Sequence, residues 1–387
     1  MTTIILTGAG SGGHITPILA VAAELKRLKT DIKLIYIGQK GDPMAAMPSR
    51  HKYIDEVYVI RAGKFRRYHG EGLKQLTDIP TMLKNIRDVL FVLIGLLQSW
   101  KLLRRLRPKV IFIKGGYVGV PVGLAAASLK IPFITHDSDA VPGLANKIIA
   151  KWASKHAVAL PPEAYYYPRN KTVMTGIPLR REFVPVNTKI QQDYRAQLKI
   201  PSKSQVLFVV GGGLGAERIN LAVAEVIPHL LAEFEELYVL HGVGQANETA
   251  MNDIYDKKLS EAERGRLKVY GFIDDLYKYS GAADIIISRA GATNLAEFAV
   301  QGKACIIIPS PFLAAGHQLK NGIFLDQQGA AVIIDETELQ EDPNRLAAKV
   351  SDLLKKPENR RSLGSKMSKL AHPHASSELA RLILDEL

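Results

Sequence analysis

A single cysteine in 387 residues leaves no partner for a disulfide within the chain. Cys305 stands in an apolar run where a small core residue is expected, which suits a reducing compartment. Long hydrophobic runs are missing as well. The longest, Val89–Leu97, is interrupted by Gly95 and falls well short of the ~18–20 residues that cross a bilayer, so no membrane-spanning segment is expected. Met1-Thr2-Thr3 runs straight into Ile4-Ile5-Leu6, and no signal peptide is expected either. There is no His-Glu-x-x-His and no cysteine-rich spacing, so no metal site held by the protein is expected. Low-complexity tracts and solenoid repeats are absent. What remains, 47% hydrophobic and 23% charged residues, is the composition of a globular protein with room for two cores.

Acidic residues are scarce in one half only. Residues 1–180 hold 27 Lys and Arg against 11 Asp and Glu, a net of +16, while the remainder holds 24 against 27, a net of −3. Residues 61–109 alone carry 12 basic and 3 acidic side chains. Such asymmetry points to a polyanionic partner for one domain: anionic lipid, nucleic acid or a phosphorylated substrate. Lys64-Phe65-Arg66-Arg67-Tyr68 is basic and aromatic, and Leu73, Leu76, Ile79, Met82, Leu83 and Ile86 recur at helical spacing. An apolar surface rimmed with cations docks on an anionic leaflet without crossing it. Residues 64–86 are therefore expected to form the membrane face, and Val89–Leu97 to be mostly core. No nucleic-acid motif or aromatic platform accompanies the charge.

The chain opens with the strand Ile4–Leu6, the loop Gly8-Ala9-Gly10-Ser11-Gly12-Gly13-His14 and a helix over Ile18–Leu28. Gly8, Gly10 and Gly13 fit G-x-G-x-x-G. The next strand, Lys33–Ile37, ends in Gly38-Gln39-Lys40 without the acidic residue that would hold an adenosine ribose, which argues against a dinucleotide. The glycines make a backbone cradle with His14 at its edge. A histidine beside a loop is often structural, but here it can stand over a polar ligand and accept a proton near neutral pH. The strand Val110–Ile113 delivers a second glycine loop, Lys114–Gly119. The strand Pro132–Thr135 ends in His136-Asp137-Ser138-Asp139, whose carboxylates could act as base or orienter. Prolines from 168 to 201 mark an inter-domain crossover. The opening then recurs: strand Gln205–Val210, loop Gly211–Gly215, helix. Two such openings imply two Rossmann-like domains. Further strands follow at Leu237–Leu240, Leu267–Tyr270, Asp284–Ile287, Ala304–Pro309 and Val332–Ile334, and Ser376–Leu387 reads as an amphipathic helix with a capping-type start. Between Ser288 and Gly322 two helix starts converge on the sheet edge, bringing Glu297, His317, Gln318 and Asn321. A carboxylate, amide side chains and N–H groups are what the ribose, sugar and diphosphate of a sugar nucleotide require.

Seven motifs in order carry a family resemblance: Gly10-Ser11-Gly12-Gly13-His14 with Pro17, Gly115-Gly116-Tyr117-Val118, Ala140-Val141-Pro142-Gly143-Leu144-Ala145-Asn146, Gly176-x-Pro178-x-Arg180, Phe272-Ile273-Asp274-Asp275, Ser288-Arg289-Ala290-Gly291-Ala292 with Glu297, and His317-Gln318-x-x-Asn321. Over nearly its whole length the chain resembles the GT-B glycosyltransferases, specifically the family 28 N-acetylglucosaminyltransferases that convert lipid I to lipid II. The resemblance implies an α/β fold of two Rossmann-like domains facing each other across a cleft. Residues 1–180 would be the acceptor and membrane-docking domain, 181–370 the UDP-sugar donor domain, and 371–387 a terminal helix packing back on the first. It implies that the Ile273 backbone reads the uracil edge and Glu297 holds the ribose diol. Gly212, Gly213, Ala292 and Arg180 would surround the phosphates, and His317, Gln318 and Asn321 would bind the sugar. Ser11, Gly12, Gly13, Gly116, Tyr117 and Asp139 would bind the acceptor, with His14 or Asp137 as base.

Undecaprenyl-linked lipid I and UDP-N-acetylglucosamine would be the substrates, with no required cofactor or protein-bound metal. The protein would sit peripherally on the cytoplasmic face of a bacterial membrane, with no nucleic-acid partner. The chain departs from the family in four places. Gly213-Leu214 replaces the usual Ser-Gln, His136-Asp137-Ser138-Asp139 replaces His-Glu-Gln-Asn, Ile177 replaces Asn, and Gly316 replaces the Asp before the His-Gln motif. The rival readings are transfer to another lipid, diacylglycerol or a different polyprenyl carrier, and a UDP-sugar 2-epimerase.

Overall fold

The branched apolar runs of the chain form strands buried on both faces, as parallel sheets covered by helices require. The computed structural model describes residues 1–10, 12–42, 44, 46–63, 79–139, 141–212, 215–311 and 316–387, with backbone alone over 79–83. They divide into two units, Met1–Arg181 joined by His372–Leu387, and Glu182–Ala371.

The first unit holds β1 (Thr2–Gly8), β2 (Ile32–Gln39), β3 (Glu56–Ile60), β4 (Val110–Gly115), β5 (Phe133–Asp137), β6 (Lys155–Val158) and β7 (Thr172–Met174). They lie in the order β3-β2-β1-β4-β5-β6-β7, every pair parallel. Strands β3, β6 and β7 escape the sequence reading because they are short and half polar. Along β1 the side chains alternate. Ile4 and Leu6 pack with Ile18, Val21 and Leu25 of the helix Gly12–Leu28, and Ile5 packs on the opposite face with Ile111, Ile113 and Val122. The helix Ala375–Leu384 returns to the first face and buries Leu379, Ala380 and Ile383 completely. Its expected capping start is not made. The residue before the helix is His374, which makes no side-chain cap, and Ser376 Oγ donates instead to the Leu179 carbonyl at 2.7 Å.

The helix Ile79–Leu106 corrects a second expectation. Residues 64–78 lie outside the described residues, but Val89–Leu97 is not core. Val89, Leu90, Leu93 and Leu97 are exposed, Leu97 by 65%. The buried stripe is Asp88, Gly95, Ser99 and Leu103. Gly95 explains the inversion: a β-carbon there would run into the Arg61 carbonyl. Small residues let the chain approach closely, so the face that packs is the less hydrophobic one and the apolar ridge turns to solvent.

The second unit holds β8 (Gln205–Val210), β9 (Leu237–Gly242), β10 (Leu267–Tyr270), β11 (Ile285–Ser288), β12 (Ala304–Ile307) and β13 (Val332–Ile333). Their order is β10-β9-β8-β11-β12-β13, again all parallel. Leu207 and Val209 pack with the helices Glu217–Glu233 and Asn344–Lys355. Val206 and Phe208 pack with Leu295 and Phe298 of the helix Ala292–Gln301. In each sheet the order reverses beside its first strand, at β1/β4 and at β8/β11. Open α/β sheets bind ligands outside the carboxyl ends of strands at such reversals.

Candidate active site

In the first unit the chain leaves β1 with a register shift between Thr7 and Gly8 against β4, and two glycine loops then touch. Gly116 has φ +77°, and a β-carbon there would stand 2.6 Å from the Ala9 carbonyl oxygen, so only glycine fits. Tyr117 lies over Gly10, its Oη 2.9 Å from where a β-carbon would be. His14, on the first turn of the helix Gly12–Leu28, is half-buried. A β-carbon at Gly115 would be 3.7 Å from both His14 Nε2 and Asn146 Nδ2. The structure thus gathers His14, Gly115 and Asn146 around the β1/β4 reversal, with Gly12 and Gly13 at the same helix start and Gly116 and Tyr117 in the loop after β4. Ser11 lies outside the described residues.

Asp137, at the end of β5, is buried and has both oxygens engaged. Oδ1 accepts from the Gly143 N–H at 2.9 Å and from Asn146 Nδ2 at 3.0 Å. Oδ2 accepts from the Tyr167 hydroxyl at 2.8 Å. Burial pushes its pKa up against these three donors and the nearby Lys114 charge. Asn146 Nδ2 also donates to the His136 carbonyl at 2.9 Å, so Asp137 fixes the side chain that stands beside His14. Asp139 is half-buried, and its carbonyl accepts from the Tyr165 hydroxyl at 3.0 Å. Sequence reasoning missed Asp42. It follows β2 and accepts from the Gly10 N–H at 3.0 Å, so this carboxylate braces the chain's own glycine loop. Its signal was too far past the strand end, and its target too far away in sequence, to be read.

In the second unit a concavity opens at the carboxyl ends of three strands. Val210 and Gly212 line it at the end of β8, Gly242 and Gly244 at the end of β9, and Phe272 and Ile273 after β10, with Asn294 from the helix Ala292–Gln301. Four glycines at these three strand ends, Gly212, Gly242, Gly244 and Gly271, leave backbone and open space, which suits a planar base. Glu297 is buried one turn further along that helix, whose N-cap, Gly291, makes no side-chain cap. Its first-turn N–H groups, Ala292 included, can therefore face an anion. Gln318 and Asn321 are buried in the first turns of the helix His317–Gln327. Gln318 Oε1 accepts from the Ser310 N–H, and Asn321 Nδ2 donates to the Ala290 carbonyl, both at 3.0 Å. These bonds hold the loops after β12 and β11 to one helix. Gly213 lies outside the described residues, and Arg180 lies in the first unit. Arg289, of the same motif, pairs with the buried Glu336 at 2.5 Å, a structural use the motif did not reveal. Among the described residues no group of three or more His, Cys, Asp or Glu is arranged to hold a metal ion.

Residues 4–158 match the glycosyltransferase family 28 N-terminal domain, and residues 206–379 match the family 28 C-terminal domain. A protein of Caldicellulosiruptor saccharolyticus is 33% identical over 100% of this chain and 98% of its own length. One of Geotalea daltonii is 33% identical over 99% and 96%. Both are named UDP-N-acetylglucosamine–N-acetylmuramyl-(pentapeptide) pyrophosphoryl-undecaprenol N-acetylglucosamine transferase. The crystal structure of Acinetobacter baumannii MurG aligns over 100% of both chains with a TM-score of 0.70 and 26% identity. A UDP-GlcNAc 2-epimerase of Neisseria meningitidis bound to UDP-GlcNAc aligns over 100% of both with a TM-score of 0.65, but at 12% identity it shares the fold alone.

Proposed function

This chain belongs to glycosyltransferase family 28, and from that membership we propose that it moves N-acetylglucosamine from UDP-N-acetylglucosamine to the muramoyl 4-hydroxyl of lipid I, giving lipid II. It is a UDP-N-acetylglucosamine-dependent glycosyltransferase with a lipid-linked acceptor. The observation that carries the reading is identity of 33% across essentially the whole of this chain and of a relative named for that transfer. The epimerases share only the fold, so that alternative has no comparable support.

In the proposed reaction the acceptor oxygen attacks the anomeric carbon, forming the new C1–O bond as the bond to the UDP oxygen breaks. The sugar is inverted. His14 accepts the hydroxyl proton. Asp137 is not the base in this scheme, because three donors already occupy its oxygens; it acts by placing Asn146. The base of UDP enters the concavity beside Ile273, Glu297 takes the ribose hydroxyls, and Gln318, Asn321 and His317 bind the sugar. Charge on the departing UDP falls on Gly212, on the neighbouring loop and on the open helix start at Ala292, with Arg180 contributing, and the scheme calls on no protein-bound metal. The acceptor diphosphate lies over Gly12, Gly13, Gly116 and Tyr117.

No described helix is long and apolar enough to cross a membrane. Docking is assigned instead to the ridge Leu90, Leu93 and Leu97, with Arg61 and Arg87 against Phe91 and Arg104 over Trp100. An apolar ridge with a cationic border fits an anionic leaflet, and the use of a nucleotide donor supports docking on the cytoplasmic face. The deciding experiment follows labelled sugar from UDP-N-acetylglucosamine to a short-chain lipid I analogue while UDP release is monitored. Disaccharide product with stoichiometric UDP is expected. Release that depends on a different lipid, or sugar conversion without acceptor, would overturn the assignment.

A further inference from the structure

Lys114 is the penultimate residue of β4, directly before Gly115-Gly116-Tyr117, and is only 3% exposed. Among the described residues of the first unit no other lysine or arginine is buried. Its ammonium donates to Ser138 Oγ at 2.6 Å. Even with the Asp137 and Asp139 charges nearby, one hydrogen bond to a hydroxyl is a modest return for taking a full charge out of water, and an apolar side chain of the same length would fill the space at less cost. The surroundings show what the charge addresses. From β1, a β-carbon at Gly8 would stand 3.3 Å from Lys114 Cβ. From β5 and the loop after it, Asp137 and Asp139 favour the charged ammonium, and His136 is held neutral by burial and by the Lys114 charge. A charge on His14, from the helix Gly12–Leu28, also disfavours protonation of His136.

We propose that Lys114 is a positioning residue of the acceptor site, whose buried ammonium anchors Ser138 and supplies, beneath the two glycine loops, the positive charge that draws in the acceptor's diphosphate. The proposal rests on the reading of the chain as a transferase to a diphosphate-linked lipid. It goes beyond that reading by giving an inward-facing cation, rather than only loop N–H groups, the task of holding the anion. Burial brings the Lys114 pKa down to about 8, so the charge is present below that pH and lost above it. Acceptor capture should then weaken on the alkaline side while donor binding, in the other unit, does not.

The test measures kcat and KM for a short-chain lipid I analogue and for UDP-N-acetylglucosamine between pH 6.5 and 9.5 (a chosen range of about three units around the Lys114 pKa), in the full-length wild type, Lys114→Met and Ser138→Ala. In the wild type, kcat/KM for the acceptor should fall above pH ~8 as the charge is lost. Lys114→Met should raise the acceptor KM about tenfold at neutral pH, abolish the alkaline fall and leave the donor KM unchanged. Ser138→Ala keeps the charge and loses its anchor, so the acceptor KM should rise a few-fold with the alkaline fall retained. Should Lys114→Met fail to fold, the wild-type profile and Ser138→Ala still decide. An acceptor KM that does not change with pH in the wild type, or that Ser138→Ala leaves unaltered, overturns the role of Lys114. No transfer to lipid I by the wild type overturns the reaction and this role with it.

Discussion

His14 and Asp137 stand on either side of Asn146, yet their surroundings assign them different work. His14 is half-buried on a helix start beside a glycine loop, where a proton acceptor can meet a hydroxyl. Asp137 is enclosed by the Gly143 N–H, Asn146 and Tyr167. His14→Ala should lower kcat about a hundredfold or more while leaving the affinity for UDP unchanged by calorimetry. Asp137→Asn should act mainly on the scaffold, costing ~1–3 kcal/mol in chemical denaturation and reducing kcat much less than His14→Ala. Equal losses of kcat in the two variants would reverse the assignment. In the second unit Lys303 gives a further test at this scale. Its ammonium is buried against the Gly281 and Ala283 carbonyls at 2.7 and 2.9 Å, and burial lowers its pKa to about 7. An unfolded lysine titrates near ~10.4, so between pH ~7 and ~10 the unfolded chain binds more protons and folding stability rises with pH. Lys303→Met should gain ~2 kcal/mol less than the wild type between pH 7 and 9.5 in urea titrations (~2.5 pH units, within the window set by the two pKa values), and the part of the slope owed to Lys114 should persist.

At the scale of elements, the helix Ile79–Leu106 shows how far hydrophobicity alone can mislead. Nine residues of high apolarity read as core, but packing chose the stripe of Asp88, Gly95, Ser99 and Leu103 because close approach there needs the missing side chain of Gly95. The exposed ridge is then available to lipid. Leu90→Glu with Leu97→Glu should lower binding to anionic vesicles at least tenfold, since each leucine buried in lipid is worth ~1.5–3 kcal/mol, while UDP binding stays intact. Vesicle binding equal to wild type in co-sedimentation would remove this ridge from the docking surface. The strands show the opposite case. Runs such as Ile4–Leu6, Gln205–Val210 and Ala304–Ile307 are continuous enough to be read directly, and the glycines after them mark where each sheet reverses.

At the scale of the whole molecule, the chain finishes its first unit only at its end. Leu379, Ala380 and Ile383 close the face lined by Ile4, Leu6 and Ile18, and Ser376 holds the Leu179 carbonyl. A chain ended after Ala371 should lose more than ~3 kcal/mol from the first unit through exposure of Leu379- and Ile383-sized surface. Thermal unfolding should split, with the first unit melting earlier and its fragments appearing first in limited proteolysis. Transitions that remain coincident with those of the full chain would show that the helix is dispensable.

The sequence by itself determined the two parallel-sheet units, the four loops at their reversals and the motifs that mark the family. Strand hydrophobicity, glycine spacing and helix starts are local properties written in consecutive residues. It also determined that positive charge gathers in one half, because charge adds without reference to shape. The tertiary structure decided which groups spend their hydrogen bonds on the scaffold: Asp137 on Asn146, Asp42 on Gly10, Arg289 on Glu336. It decided which face of the helix Ile79–Leu106 meets water, and that a lysine in an otherwise ordinary strand is buried beside the glycine loop Gly115–Gly116. Each of these depends on residues far apart in sequence meeting in a low-dielectric interior, where a partner's distance and the loss of water set the energy.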